Sequence, residues 1–85
     1  MSMCAVSEDV LFFAFRYALG RRTPAVAEVA ETIKMNISNI SVASCRQMIK
    51  EINEEKAAKR LGMEIDAQEW MALCELLGKK VNGNR

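Results

Sequence analysis

The segment from Val10 to Leu19 constrains the fold most, because almost every side chain in it is apolar. Ser7 is a suitable N-cap before it, two acidic residues follow in the first turn, and Gly20 is a suitable C-cap. The apolar side chains of this helix point in nearly every direction, and Arg16 is its only internal charge. A helix that is apolar all round must be covered all round. We therefore expect helix 1 to sit centrally or to form a subunit interface.

Two further helices follow, separated by a polar connection. Thr23 and Pro24 are typical of a helix start, because threonine caps and proline fits the first helical position. Helix 2 is expected to fade near Met35, and an N-cap at Ser38 or Ser41 opens helix 3. The apolar residues of both helices recur at helical spacing. The expected core positions are Val26, Val29, Ala30 and Ile33 in helix 2, and Val42, Cys45, Met48, Ile49 and Ile52 in helix 3.

The second half of helix 3 is polar and is expected to face solvent. Glu55 and Lys59 are four residues apart, in the order that stabilises a helix when both lie on it. The helix is expected to reach Leu61 and to stop at Gly62, because glycine commonly follows the last helical residue.

Helix 4 is predicted from Asp66 and Glu69, which resemble a capping box with aspartate in the serine position. Trp70 lies on its apolar stripe, so we expect it in the core, with a ligand contact as the alternative. Gly78 is expected to end the helix. The stripe consists of Trp70, Leu73, Cys74 and Leu77. The sequence thus predicts an all-α fold, a compact bundle of four helices in a single domain over residues 1–85, with frayed ends at residues 1–6 and 79–85.

The length, net charge and cysteine content of the chain limit the partners and the compartment that we expect for it. A chain of 85 residues buries a limited core, so we expect a homo-oligomer. Three widely spaced cysteines indicate a reduced compartment and no disulfide framework. The net charge of +1 argues against a strongly electrostatic nucleic-acid binder. No apolar run is long enough to span a membrane, and we see no secretory signal, so we expect a cytoplasmic protein with no membrane partner.

The absence of histidine removes the commonest general base and the usual serine and cysteine nucleophile pairs. There is no phosphate-binding loop motif, dinucleotide fingerprint or zinc motif. Glu64, Asp66 and Glu69 cluster near the turn between helices 3 and 4, where we favour capping roles over a magnesium site. We therefore expect no enzyme activity, no catalytic residue, no metal and no cofactor.

The turn between helices 1 and 2 carries more positive charge than folding requires. Free N–H groups at the start of helix 2 carry partial positive charge, and arginine binds phosphate oxygens in bidentate fashion. We predict a phosphate or other anion site there. Its residues are Arg16, Tyr17, Arg21, Arg22 and Thr23. The alternative is that Arg21 and Arg22 form an ordinary solvated turn.

Arg16 itself has two interpretations. A lone charge in an otherwise apolar helix is costly to bury without a partner. It either reaches the helix edge or pairs with a specific acid, for which Asp66 and Glu69 are the candidates. Ligand contact is the second interpretation, in which Tyr17 or Trp70 would stack on a nucleotide base.

Helices 2 and 3 also allow a helix-turn-helix interpretation. The connection at residues 35–41 would supply the turn, and four polar residues of helix 3 would face a DNA groove. These are Ser44, Arg46, Gln47 and Lys50. The near-neutral charge counts against this alternative.

The run from Phe15 to Thr23 resembles one found in small bacteriophage accessory proteins, in which an "RYALGR-T" run lies near the N-terminus. In that group an "I-x-x-E-I" pattern follows and an acidic element with tryptophan closes the chain. The corresponding parts here are residues 49–52, in a shorter spacing, and residues 66–70. The resemblance covers roughly residues 9–71 and transfers no catalytic residue.

The resemblance implies a phage accessory protein that acts by binding in the host cytoplasm. The leading expectation is an anti-defence protein that captures a phosphate-bearing nucleotide messenger. The first alternative is an inhibitor that binds and blocks a host defence protein, such as a CRISPR component. The second alternative is the helix-turn-helix-like DNA-binding regulator.

Overall fold

The computed structural model of the protein describes residues 7–19, 26–60 and 64–83. Within these ranges the chain forms four α-helices, one short 3₁₀ turn and no strand. Helix α1 spans Glu8–Leu19, α2 spans Val26–Met35, the 3₁₀ turn spans Ile37–Asn39, α3 spans Val42–Ala57 and α4 spans Glu64–Gly83. The predicted all-α bundle of four helices is confirmed. The proposed caps Gly20, Thr23, Pro24 and Gly62 lie outside the described residues, as does the predicted frayed end at residues 1–6.

The core lies between α4 and the other three helices. The α3–α4 contact is the most extensive, α2 packs on α4, and α1 packs on α2 and less extensively on α3. Trp70 is fully buried, and its ring meets the ring of Phe15 edge-on at 5.5 Å between centroids. The buried apolar residues are Leu11, Phe15, Ala18, Leu19, Val26, Ala30, Ile33, Ile40, Cys45, Met48, Ile52, Trp70, Leu73 and Leu77. Every helix contributes to this set, and the core role predicted for Trp70 is confirmed.

Two polar contacts join α1 to α3 and fix how the two helices lie together. At the first, the Glu8 carboxylate accepts hydrogen bonds from the Ser41 N–H at 3.0 Å and from the Ser41 hydroxyl at 2.8 Å. Ser41 is also the N-cap of α3, since its Oγ accepts from the Ser44 N–H at 3.1 Å. At the second, Arg16 pairs with Glu51. The first contact joins the starts of α1 and α3, and the second joins residues that lie further along both helices. The two helices therefore run in the same direction.

The end of α3 departs from prediction, because the helix stops at Ala57 and not at Leu61. Lys59 adopts a φ of 59°, the left-handed conformation that closes many helices. The Arg60 N–H reaches the Glu55 carbonyl at 2.9 Å and the Lys59 N–H reaches the Lys56 carbonyl at 3.0 Å, the hydrogen-bond pattern of a Schellman motif. Glu55 therefore pairs with Arg60 at 2.7 Å, and the predicted Glu55–Lys59 pair is wrong.

The end of α4 also departs from prediction. The helix continues through Gly78 to Gly83, so the predicted end at Gly78 is wrong and residues 79–83 are helical. Glycine inside a helix costs about 1 kcal/mol relative to alanine, which tertiary contacts can offset. Two contacts extend beyond Gly78. Val81 packs against the core, and the Lys80 ammonium donates to the Ile37 carbonyl at 2.7 Å.

Candidate functional site

Arg16 is held by a carboxylate of α3. Its Nε and Nη2 both donate to Glu51, with 2.8 Å between Nη2 and Oε2. The guanidinium also lies over the Phe12 ring, 4.5 Å from the centroid. The expectation that Arg16 pairs with an acid is confirmed, but the predicted partners Asp66 and Glu69 are wrong. The partner is Glu51 because the flank of α1 that carries Arg16 faces α3.

The ion pair is asymmetric in its exposure. The Arg16 side chain is 60% exposed and the Glu51 side chain is 16% exposed. Hydrogen bonds from Arg16, and secondarily from Gln47 at 2.9 Å, hold the pKa of Glu51 below its ordinary value against the opposing effect of burial. The same pair raises the pKa of Arg16. Both groups are therefore charged at neutral pH, and much of the positive charge of Arg16 is compensated.

An open groove of about 500 Å³ lies between α1 and α3. One wall comes from α1 and the other from the first two turns of α3. The lining residues are Asp9, Phe12, Phe13, Arg16, Ala43, Ser44 and Gln47. The Glu8–Ser41 and Arg16–Glu51 contacts join the same two helices, so they set the width of the groove. The groove thus combines aromatic rings with a hydroxyl, an amide and charges of both signs.

The face of α1 that points away from the core is apolar and uncovered by the described residues. Val10 is 57% exposed, Phe13 74% and Tyr17 54%. The expectation that helix 1 sits centrally is therefore wrong, because only one side of α1 packs on the bundle. The second expectation, a subunit interface, stays a prediction. A smaller apolar groove of about 130 Å³ lies on the opposite flank of α1, toward α2.

The structure describes only Arg16 and Tyr17 of the predicted anion site, and it places them on different sides of α1. Arg16 lines the groove between α1 and α3, whereas Tyr17 is on the outer face of α1. Arg21, Arg22 and Thr23 lie outside the described residues. Trp70 is fully buried, so it does not stack on a ligand in this conformation.

The acidic residues and cysteines of the described part of the chain form no second candidate site. In the described part of the chain, no group of three or more histidine, cysteine or acidic residues is placed to hold a metal ion. Helix α4 already begins at Glu64, so Asp66 is its third residue and not its N-cap, and the predicted capping box is wrong. Cys45 and Cys74 are unbridged, and burial raises the pKa of both thiols, which lowers their reactivity at neutral pH.

The four residues proposed to read DNA divide between two environments. Ser44 and Gln47 line the groove against α1, and the Gln47 amide donates to Glu51. Arg46 and Lys50 are exposed to solvent. Two of the four side chains thus face another helix of the same domain, which argues against α3 as a recognition helix.

Sequence reasoning missed the contribution of Phe12, Phe13, Ser44 and Gln47 to the groove. Both phenylalanines were assigned to a helix buried on all sides. The available signal was an excess of apolar residues around α1, since a helix at the edge of a bundle covers only one stripe. Phe13 lies outside that stripe, and so do Val10 and Tyr17, one helical turn before and after it.

Comparison with known proteins gives no relative from which a function could be transferred. The chain matches no protein-family model, no curated protein and no solved structure. Among the described residues, no helix is long and apolar enough to cross a membrane.

Proposed function

We propose that the protein is a non-enzymatic phage anti-defence protein that captures a phosphate-bearing nucleotide messenger in the host cytoplasm. The groove between α1 and α3 is the observation that carries this proposal. In this proposal Arg21, Arg22 and Thr23 hold phosphate. Arg16 orients the ligand from within the groove, and Tyr17 does so from the adjoining outer face of α1. The partners are the nucleotide and further copies of this chain.

The size and lining of the groove suit a nucleotide. Its volume of about 500 Å³ lies in the range of small-molecule sites, and such sites combine apolar walls with a few polar groups. The exposed ring of Phe13 offers a face on which a base can stack, an interaction of about 1–3 kcal/mol in single-stranded nucleic-acid complexes. Ser44 and Gln47 supply a hydroxyl and an amide for the polar edge of the base.

The charges of the groove determine where the phosphate must bind. Arg16 is compensated by Glu51, and Asp9 adds a second carboxylate to the lining. A phosphate placed against these three groups alone would meet a net negative charge. The proposal therefore requires Arg21 and Arg22, because arginine supplies bidentate donors that a phosphate can use.

We predict that cyclic or linear nucleotides raise the melting temperature of the full chain and that inorganic phosphate does not. A ligand at about 100 times its dissociation constant adds roughly 2.7 kcal/mol to the free energy of unfolding. For a domain of this size, that is a rise of roughly 10 °C or more. The measurement is a thermal-shift screen against a nucleotide panel.

The double substitution Arg21→Ala/Arg22→Ala should abolish this rise and leave the unliganded melting temperature unchanged. Its matched control is Arg46→Ala/Lys50→Ala, which removes two exposed cations of α3 that do not line the groove. The control should keep the full ligand response. If both variants lose the response equally, general charge attraction explains binding and the arginine site is wrong.

A second candidate function is inhibition of a host defence protein by direct binding. The exposed apolar face of α1 favours it, since apolar patches on small proteins commonly mark contact surfaces. This candidate needs no small ligand. A nucleotide screen without any response, together with a stable complex between the purified chain and a purified host defence protein, would favour it over nucleotide capture.

A further inference from the structure

The exposed face of α1 has the spacing of a coiled-coil seam. Val10, Phe13 and Tyr17 are separated by three and then four residues, which corresponds to positions a, d and a of a heptad. These three side chains are the large apolar groups that α1 leaves exposed. In this register Asp9 and Arg16, one heptad apart, both occupy position g, on the flank that faces α3.

Both charged residues of this flank have capacity for a further partner. The Asp9 carboxylate has no hydrogen bond or ion pair to the described residues, and it is exposed. Arg16 uses Nε and Nη2 for Glu51, and its Nη1 makes no hydrogen bond within the same part of the chain. The flank therefore presents one unpaired acid and one arginine nitrogen beside an apolar seam.

We propose that a second copy of the chain packs antiparallel against this face of α1, about a two-fold axis beside Phe13. Positions 9 and 16 are equidistant from a point between residues 12 and 13. The axis therefore brings Asp9 of each copy to Arg16 of the other, and the contact forms twice. A two-fold interface requires such self-complementarity, with each residue of a pair meeting the other across the axis.

The same charges argue against the parallel arrangement. In a parallel pair, position g of one helix meets position e of the other. Position e is Ala14, so Asp9 would gain no partner. The charge pattern thus selects the antiparallel copy.

The antiparallel arrangement places the two grooves between α1 and α3 on the same side of the dimer. The two-fold axis is perpendicular to the plane that contains both α1 helices. Rotation about it therefore leaves the α3-facing flanks of the two copies on the same side of that plane. Only the exposed face and the charges of α1 carry this inference. That face includes Phe13 and Tyr17, so a second copy seated on it would compete with a nucleotide for these two side chains. A helix of 12 residues is about 18 Å long, so the contact is small and association should rise with protein concentration.

Sedimentation velocity of the full chain, from low micromolar to submillimolar concentration, tests this inference. We expect a reversible monomer–dimer equilibrium for the unmodified protein. Asp9→Arg makes both flanking positions positive and Arg16→Asp makes both negative, so each variant alone should associate at least about tenfold more weakly. Mixing the two variants should restore association, because only the mixed dimer pairs opposite charges at both contacts.

Two further variants keep the experiment decisive. Phe13→Ala should weaken association without any charge change, which covers the case in which Arg16→Asp disturbs the fold through Glu51. Glu31→Arg reverses an exposed charge on α2 and should leave association unchanged. A monomer at every concentration, or a mixture no more associated than its components, would overturn the antiparallel dimer.

Discussion

Trp70→Ala should destabilise the domain by about 3–5 kcal/mol, the usual cost of removing a large buried aromatic side chain. The side chain is fully buried, and its edge-on contact with Phe15 joins α4 to α1. Small domains have roughly 0.05–0.15 kcal/mol of stability per residue, so this loss is a large share of the total. We expect the melting temperature to fall by roughly 15 °C or more, or the chain to be unfolded at room temperature.

The matched control for Trp70→Ala is Phe13→Ala, which also removes an aromatic side chain. Phe13 is 74% exposed, so we expect a change within about 0.5 kcal/mol when the protein is dilute enough to be monomeric. Circular dichroism should follow both transitions, because Trp70 is the only tryptophan and its fluorescence is lost in the first variant. Equal destabilisation by both substitutions would show that the core assignment is wrong.

Acidification should destabilise the protein through three carboxylates with lowered pKa values. The pKa of Glu8 is lowered by hydrogen bonds from Ser44 and Ser41, that of Glu51 by Arg16, and that of Glu55 by Arg60. A carboxyl whose pKa is lower in the folded state binds more protons in the unfolded state, so stability rises with pH. The contribution is fully present above the ordinary value of 4.5 and is lost as pH falls through the folded-state values.

Urea denaturation at pH 7, 5 and 3 measures this effect. We expect little change between pH 7 and 5 and a marked fall in the urea midpoint between pH 5 and 3. Glu51→Gln should lower the urea midpoint at pH 7, because Arg16 loses its charged partner. It should also reduce the fall in the midpoint between pH 5 and 3. Glu54→Gln, on the exposed side of α3, is the matched control and should keep the full pH response. An identical pH response in both variants would remove Glu51 from this explanation.

The helices and most core positions follow from the sequence alone, because apolar spacing and capping residues are local signals. Ser7 and Ser41 illustrate this, since each accepts the N–H three residues later, as predicted for N-caps. The end of α4 could not be predicted from local signals. Gly78 is a local stop signal, but contacts of Lys80 and Val81 with other parts of the chain continue the helix.

The candidate site was less predictable, because its residues meet across two helices. The need of Arg16 for an acid was evident from its apolar surroundings. The identity of that acid depends on how α1 lies on α3, which no local pattern contains. Glu51 stands 35 residues away, and the Glu8–Ser41 contact that orients the same two helices spans 33. The exposure of Phe13 likewise depends on which side of α1 the bundle covers.

Amide chemical shifts report, residue by residue, whether a nucleotide binds in the groove between α1 and α3. The measurement is a ¹⁵N–¹H spectrum of the labelled chain during titration with each nucleotide of the panel and, separately, with inorganic phosphate. We expect shifts at Phe12, Phe13, Ser44 and Gln47 with at least one nucleotide and not with phosphate, and no shift at Lys79 on α4. Unchanged spectra throughout, or changes centred away from the groove, would contradict it.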